Sequence, residues 1–409
     1  MTASTDRWAD VYRDVHAHPE LGFAETRTAG IVESHLVRMG FEVSTGVGGT
    51  GVVGLFRNGP GPTVLARADM DALPVLEATG LPYASTRVST DAAGNQIPVM
   101  HACGHDLHVA CLLGACERLA ESLDTWSGTL MAVFQPAEEF GDGAKAMIDD
   151  GLYTRFGKPV VVLGQHVAPL PAGLIGLHVG VAFAAADSLK VTLHGQGAHG
   201  SRPEASVDPI VMAAAMVLRV QTIVSREIPA GETAVVTIGT LHAGTAANII
   251  PDRAELGFSI RTFSTDVRDR VMAAIERIAC GEAATAGASK PPEVESIASF
   301  AAVVNDAAAC ARTLPALRSL SPMIVDPGPV TGSEDVGLLA SAAGVPCVYW
   351  LLGGTDPAHF EGATTTDEMA ARSRDLPSNH SPMFAPVIEP TLSIGIGALT
   401  GAAQIWLQQ

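Results

Sequence analysis

Gly128-Thr129-Leu130-Met131-Ala132-Val133-Phe134-Gln135-Pro136-Ala137-Glu138-Glu139 reads as an apolar strand that runs straight into two carboxylates. The same arrangement recurs on both sides of it. Gly51 to Phe56 and Pro62 to Ala66 are apolar runs bounded by Gly and Pro, and the second leads into Arg67-Ala68-Asp69-Met70-Asp71. Val160 to Leu163 is a further strand and delivers Gln165-His166. Between these strands lie segments of helical period. Trp8 to His16 is helical and stops before Pro19, and Asp106 to Ala120 repeats Leu107, Ala110, Cys111, Leu113 and Leu119 on one face. Strands alternating with helices predict an α/β fold, a mixed sheet with helices on both faces, whose chemistry gathers where strands end.

The pattern changes near Ala184. Ser188 to Leu193, Ala234 to Thr240, Ala254 to Phe263 and Pro292 to Ser299 read as strands, with helices over Val207 to Ser225 and Asp266 to Cys280. This β-α-β-β-α-β order predicts an inserted ferredoxin-like α+β domain. Gly281 to Ser289 reads as a small-residue loop, Val303 to Leu314 as a helix, Val345 to Leu351 as a buried strand and Thr391 to Leu407 as a closing helix. The expected organisation is a discontinuous catalytic domain, residues 1–185 and 300–409, carrying a lid over residues 186–299. The stretch from Gly353 to Ser378 is expected to be a specificity-shaping or surface loop.

A chain of 409 residues exceeds one ordinary core, and 47% hydrophobic content argues against disorder. A formal net charge of -18 disfavours nucleic acid and anionic membrane as partners, because both would repel it. Met1 to Arg7 has neither a basic start nor an apolar core, so no signal peptide is expected and the cytoplasm is the favoured location. The six cysteines are too few and too scattered for a disulfide framework. Cys111, Cys116, Cys280, Cys310 and Cys347 sit among apolar neighbours and read as buried small hydrophobes. Cys103 differs, standing between His101 and His105 with Gly104 beside it, and metal ligation suits it better than packing.

Four clusters therefore stand out: Met100 to His108, Gln135 to Glu139, Gln165-His166, and Asn379-His380-Ser381-Pro382. Sulfur, imidazole and carboxylate are the donors that zinc and other borderline divalent metals prefer. With His16-Ala17-His18-Pro19-Glu20-Leu21-Gly22 at the start, these motifs resemble the aminoacylase, hippurate hydrolase and auxin-conjugate hydrolase branch of a dinuclear metallopeptidase family that includes carboxypeptidase G. The resemblance covers nearly the whole chain. It implies a catalytic α/β domain with a smaller lid that often forms a homodimer.

The resemblance also implies roles. Cys103, His105, Glu139, His166 and His380 would hold two divalent ions, Zn or Mn first, with Co or Ni also permitted. Asp71 would orient a ligand. Glu138 would be the general base, moving a proton from water to the departing amine. In Gly195-Gln196-Gly197-Ala198-His199, His199 would stabilise an oxyanion, commonly in the partner's site, and Asn248 and Arg261 would hold the substrate, the latter by its carboxylate. The segment Thr331 to Asp335 matches as well, but Val336-Gly337 replaces a common aromatic residue. The implied reaction is hydrolysis of an N-acyl-L-amino acid, with a metallo-carboxypeptidase or dipeptidase as the alternative. A Cys103 nucleophile would leave His166, His380 and Glu139 without a purpose, and a non-catalytic scaffold would leave Glu138 without one.

Overall fold

A computed structural model describes residues 2–90, 94–321 and 323–407. They form two compact units. One comprises the chain up to Ala182, Val303–Pro329 and everything from Glu334; the other comprises Phe183–Ala302 and Val330–Ser333.

The first unit is built on a mixed sheet whose neighbouring strands run Glu42–Val47, Gly51–Asn58, Gly128–Gln135, Thr63–Asp69, Val161–Pro171, Cys347–Thr355 and Val303–Asn305. Pairing is antiparallel across the first three strands and parallel from Gly128–Gln135 onward. The parallel strands are buried on both faces, which explains their unbroken apolar composition. Val64, Ala66, Leu130, Ala132 and Phe134 enter one core with Trp8, Tyr12, Leu107, Cys111 and Leu399, contributed by three helices. Leu65, Met131 and Val133 alternate to the other side and are equally buried.

The second unit is a four-stranded antiparallel sheet in the order Ala234–Ala243, Arg253–Thr262, Ala185–His194, Glu293–Phe300, the ferredoxin-like arrangement. Inward residues pair across the strands: Leu189 with Phe258, Val191 with Leu256, Leu193 with Ala254. Helices Pro209–Thr222 and Thr265–Ala286 cover that face. Each start is fixed by a side-chain cap, Asp208 accepting from Ile210 N and Ser264 from Val267 N.

Several local expectations need correction. Residues expected as the Gly281–Ser289 loop continue the helix to Ala286, where Gly287 ends it at a φ of +74°. Ala and Glu favour helix strongly enough to carry one exposed glycine. The longer helix also places Cys280 off its buried stripe of Val271, Ile275, Ile278 and Ala279, so this cysteine is exposed while the other five are buried. Val303 begins not a helix but the short strand Val303–Asn305; Asp306 then caps the helix Ala307–Arg318 by accepting from Ala309 N. The first unit's strand Val161–Pro171 outruns its expected end, so His166 lies within it. The stretch from Gly353 to Ser378 holds the helix Thr366–Ser373, opened by a Thr365/Glu368 capping box.

Leu256 is fully buried between the second unit's sheet and helices. Leu256→Ala should destabilise that unit by about 2–5 kcal/mol. Denaturant unfolding monitored in this unit checks it; a loss below 1 kcal/mol, on the order of a surface change, would contradict the packing described.

Candidate active site

Three local features bring the expected ligands together. Cys103 and His105 flank the start of the helix His105–Glu121, and the turn depends on Gly104, whose φ is +88°. A Cβ there would also lie 2.2 Å from Val167 Cγ1, so glycine is required sterically as well as conformationally. Glu138 and Glu139 occupy the turn after the strand Gly128–Gln135. His380 reaches the site from a loop with a φ of +72°, a conformation costly to a non-glycine residue and held by His380 N donating to Ala102 O at 2.8 Å.

Cys103 Sγ lies 3.5 Å from His166 Nε2, and His380 Nε2 lies 3.3 Å from Glu139 Oε1. His105 Nε2 is 3.9 Å from Glu139 Oε1 and equally far from Glu138 Oε2. The donor atoms fall into two overlapping sets, Cys103–His105–His166 and Cys103–Glu139–His380, each with its atoms within 4.8 Å of one another. Among the described residues, buried His105 Nε2 and Glu139 Oε1 make no hydrogen bond, which is expensive unless another group takes their lone pairs. A thiol, three imidazoles and a carboxylate brought together fit divalent cations. Asp71 joins two of these segments: one oxygen meets His105 Nδ1 at 3.1 Å and the other accepts from Glu139 N at 2.9 Å.

Glu138 is buried beside this cluster, with its carboxyl near those of Glu334 and Asp335. Burial pushes its proton affinity well above the usual carboxylate range, and the charges of Glu334, Glu139 and Asp335 add to the effect. Burial acts on Glu139 in the same sense, but the imidazoles of His380 and His105 outweigh it and hold that carboxyl low. The adjacent glutamates are thus driven apart, one toward carrying a proton and the other toward staying charged.

His199, Asn248 and Arg261 all lie in the second unit. His199 and Asn248 are neighbours: His199 pairs with Ile249 in a short ladder, and Gly200 N donates to Asn248 O at 2.8 Å. Ser201 N donates to His199 Nδ1 at 3.1 Å, so a neutral ring carries its proton on Nε2 and can donate from there. Arg261 is partly buried, and its Nη1 donates to Ile260 O at 2.9 Å.

Three supporting groups stand within the quoted motifs but carry no metal-ligand signal of their own. Asn379 Nδ2 lies 3.1 Å from both Cys103 O and Val167 O, tying the Cys103 turn and the His166 strand to the His380 loop. His108 accepts from Val167 N at 2.8 Å through Nε2 and faces Asp69 at 2.6 Å through Nδ1, with its ring against those of His105 and His166. Arg67 is buried among Asp69, Glu334 and Asp335 at 2.6, 2.8 and 3.0 Å. The signal for all three was a polar residue inside or beside an apolar strand or a ligand motif.

Asn379→Ala should weaken metal binding by roughly 10–100-fold, the usual effect of losing a group that holds ligands in place. Competition against a chelator measures it; unchanged affinity would show that the three segments hold their places without Asn379.

A family model described as Peptidase family M20/M25/M40 matches residues 65–375. The N-acetyl-L-cysteine deacetylase of Bacillus subtilis is 35% identical over 371 residues, covering 88% of this chain and 83% of that protein. The hippurate hydrolase of Campylobacter jejuni is 41% identical over 273 residues, covering 66% of this chain and 68% of its own. Among solved structures, a Bacillus subtilis protein described as a dinuclear metal binding peptidase from the M20 family superposes with a TM-score of 0.79 at 29% identity, covering 100% of this chain and 99% of that one. With a family match over most of its length and relatives aligned over most of theirs, the chain belongs to peptidase family M20/M25/M40.

Proposed function

We propose that this protein is a metal-dependent amidohydrolase that cleaves N-acyl-L-amino acids to a carboxylate and a free amino acid. The observation that carries the reading is the buried Glu138 carboxyl standing 3.9 Å from His105 within the convergent donor set. Similarity to deacylating relatives supports the substrate class. Cys103, His105, Glu139, His166 and His380 would hold two divalent ions, with Zn or Mn favoured and Co or Ni compatible with the same donors. Bound there, such ions would supply Lewis-acid polarisation of the scissile carbonyl and make the attacking water more acidic.

The residues of the chain do the rest. Glu138 takes one proton from water as its oxygen adds to the carbonyl carbon. It returns that proton to the amide nitrogen as the C–N bond breaks, so that the amine leaves neutral. Its raised proton affinity suits both halves of this cycle. His199 is assigned the oxyanion, through the Nε2 proton that its Nδ1 contact leaves in place. Asn248 and Arg261 are assigned to the substrate, the guanidinium to its carboxylate.

The second unit supports pairing of two copies through this lid. Ile210, Val211 and Leu218 are exposed on its helix Pro209–Thr222, where water is a poor neighbour for them. Six free cysteines accord with a reducing, cytoplasmic setting.

A panel of N-acetyl, N-benzoyl and indole-acetyl amino acids, with dipeptides included, tests the substrate class on protein loaded with zinc or manganese. Turnover of acyl amino acids that disappears with chelator is expected; turnover of dipeptides alone would favour the peptidase alternative. Glu138→Gln should retain its metal and lose about 10²–10⁴-fold in kcat. An unchanged kcat would remove Glu138 from the mechanism.

A further inference from the structure

We infer that Glu25, the residue at the start of the helix Thr26–Arg38, is a positioning residue that aims Glu138 by holding Ala137 in a left-handed conformation. The inference rests on the assignment of Glu138 as proton carrier and extends it to a residue whose contact with Ala137 spans 112 positions of the chain.

Ala137 has a φ of +47°, and it is neither glycine nor asparagine. A left-handed alanine persists only where its surroundings over-determine it. The turn around it is tight: Gly141 N donates to Glu138 O at 2.7 Å, and Gly143 N to Ala137 O at 3.2 Å. A Cβ on Gly143 would fall 1.6 Å from Pro136 O, so the turn closes only with glycine there.

Three carboxylates hold this turn from outside. Asp71 accepts from Glu139 N and Asp335 from Ala144 N, each at 2.9 Å, fixing the ligand residue and the far end. Glu25 takes the remaining place: its Oε1 accepts from Ala137 N at 2.8 Å, directly before Glu138. Glu25 is itself held. Its other oxygen accepts the Thr50 hydroxyl, and its backbone starts the helix Thr26–Arg38, with Ala29 N donating to Glu25 O at 2.9 Å. The side chain is fully buried. A fully buried carboxylate aimed at the amide of a strained residue next to the proposed base has little structural purpose beyond fixing that turn. If the strap slackens, Ala137 relaxes toward a commoner conformation and the Glu138 side chain turns away. Glu139 keeps its place through Asp71.

Two conservative variants separate reach from charge. Glu25→Asp keeps the charge and withdraws the oxygen by one methylene; Glu25→Gln keeps an oxygen within reach of Ala137 N and removes the charge. Glu25→Asp should lower kcat by about 10–100-fold, the scale of a misplacement near 1 Å, with KM changed less than about threefold. Metal stoichiometry and affinity, read by chelator competition, should not move. Glu25→Gln should recover most of the kcat that Glu25→Asp loses. Adding Ala137→Gly to Glu25→Asp should also recover part of it, because glycine adopts the left-handed conformation without strain.

An unaltered kcat in Glu25→Asp overturns the inference, as does a Glu25→Gln variant that falls equally far or a loss that tracks metal content. Glu138→Gln is measured alongside. If it retains full kcat, the assignment of Glu138 fails; if it is inactive while Glu25→Asp is normal, only the role of Glu25 fails.

Discussion

The first unit's site answers to one electrostatic constraint: five lone-pair donors from four separated segments are held facing one another, from the buried Cys103 and His105 to the exposed His380. Cys103 meets His166 and His380 faces Glu139, yet among the described residues no hydrogen bond is made to His105 Nε2 or to Glu139 Oε1. Such an arrangement is unfavourable until positive charge enters it. The sheet supplies the geometry. Parallel strands end at one edge, so Asp71 and the two glutamates follow their ends, and the helix that begins at His105 starts there too. Asp71, Asn379 and His108 then tie the segments that carry the candidate ligands to each other by hydrogen bonds.

A second layer of buried charge lies against the first. Arg67 is a buried cation among Asp69, Glu334 and Asp335, and Tyr349 donates to Glu334 at 2.6 Å. Without Arg67, these three carboxylates would lose the one guanidinium that they share, a costly loss for buried charges. With it, Glu334 is held low despite its burial, while at Glu138 burial and the neighbouring carboxylates outweigh the charge of His105 and drive the carboxyl up. The contrast is environmental, since the same carboxyl group meets different neighbours. It sets Glu334 and Glu139, which are held low, apart from Glu138 and Asp335, which burial drives up, and of the latter two only Glu138 stands beside His105.

Much of this was legible in the chain. Apolar runs ending in polar residues gave the parallel sheet, and the five ligand candidates converge in one unit. The switch in pattern near Ala184 marked where the antiparallel unit begins. What sequence missed was mostly through-space. Glu25 and Ala137 are unremarkable in their own windows, and neither period nor composition says that a carboxylate meets an amide 112 residues away. Arg67 reads as a polar residue at the end of a strand, although it is a buried counter-ion. Local errors had local causes. The Ala-rich tail after Cys280 stays helical although Gly281 and Gly287 punctuate it, and the strand Val161–Pro171 runs through His166 although Gly164 interrupts its apolar run.

The most direct measurement is the metal-to-protein ratio of the chain reconstituted with zinc or manganese and freed of loose ions, determined by elemental analysis. The account predicts two ions per chain, falling when Cys103, whose sulfur belongs to both donor sets, is replaced by alanine. A chain that retains no stoichiometric metal, or that keeps two ions without the Cys103 sulfur, would contradict it.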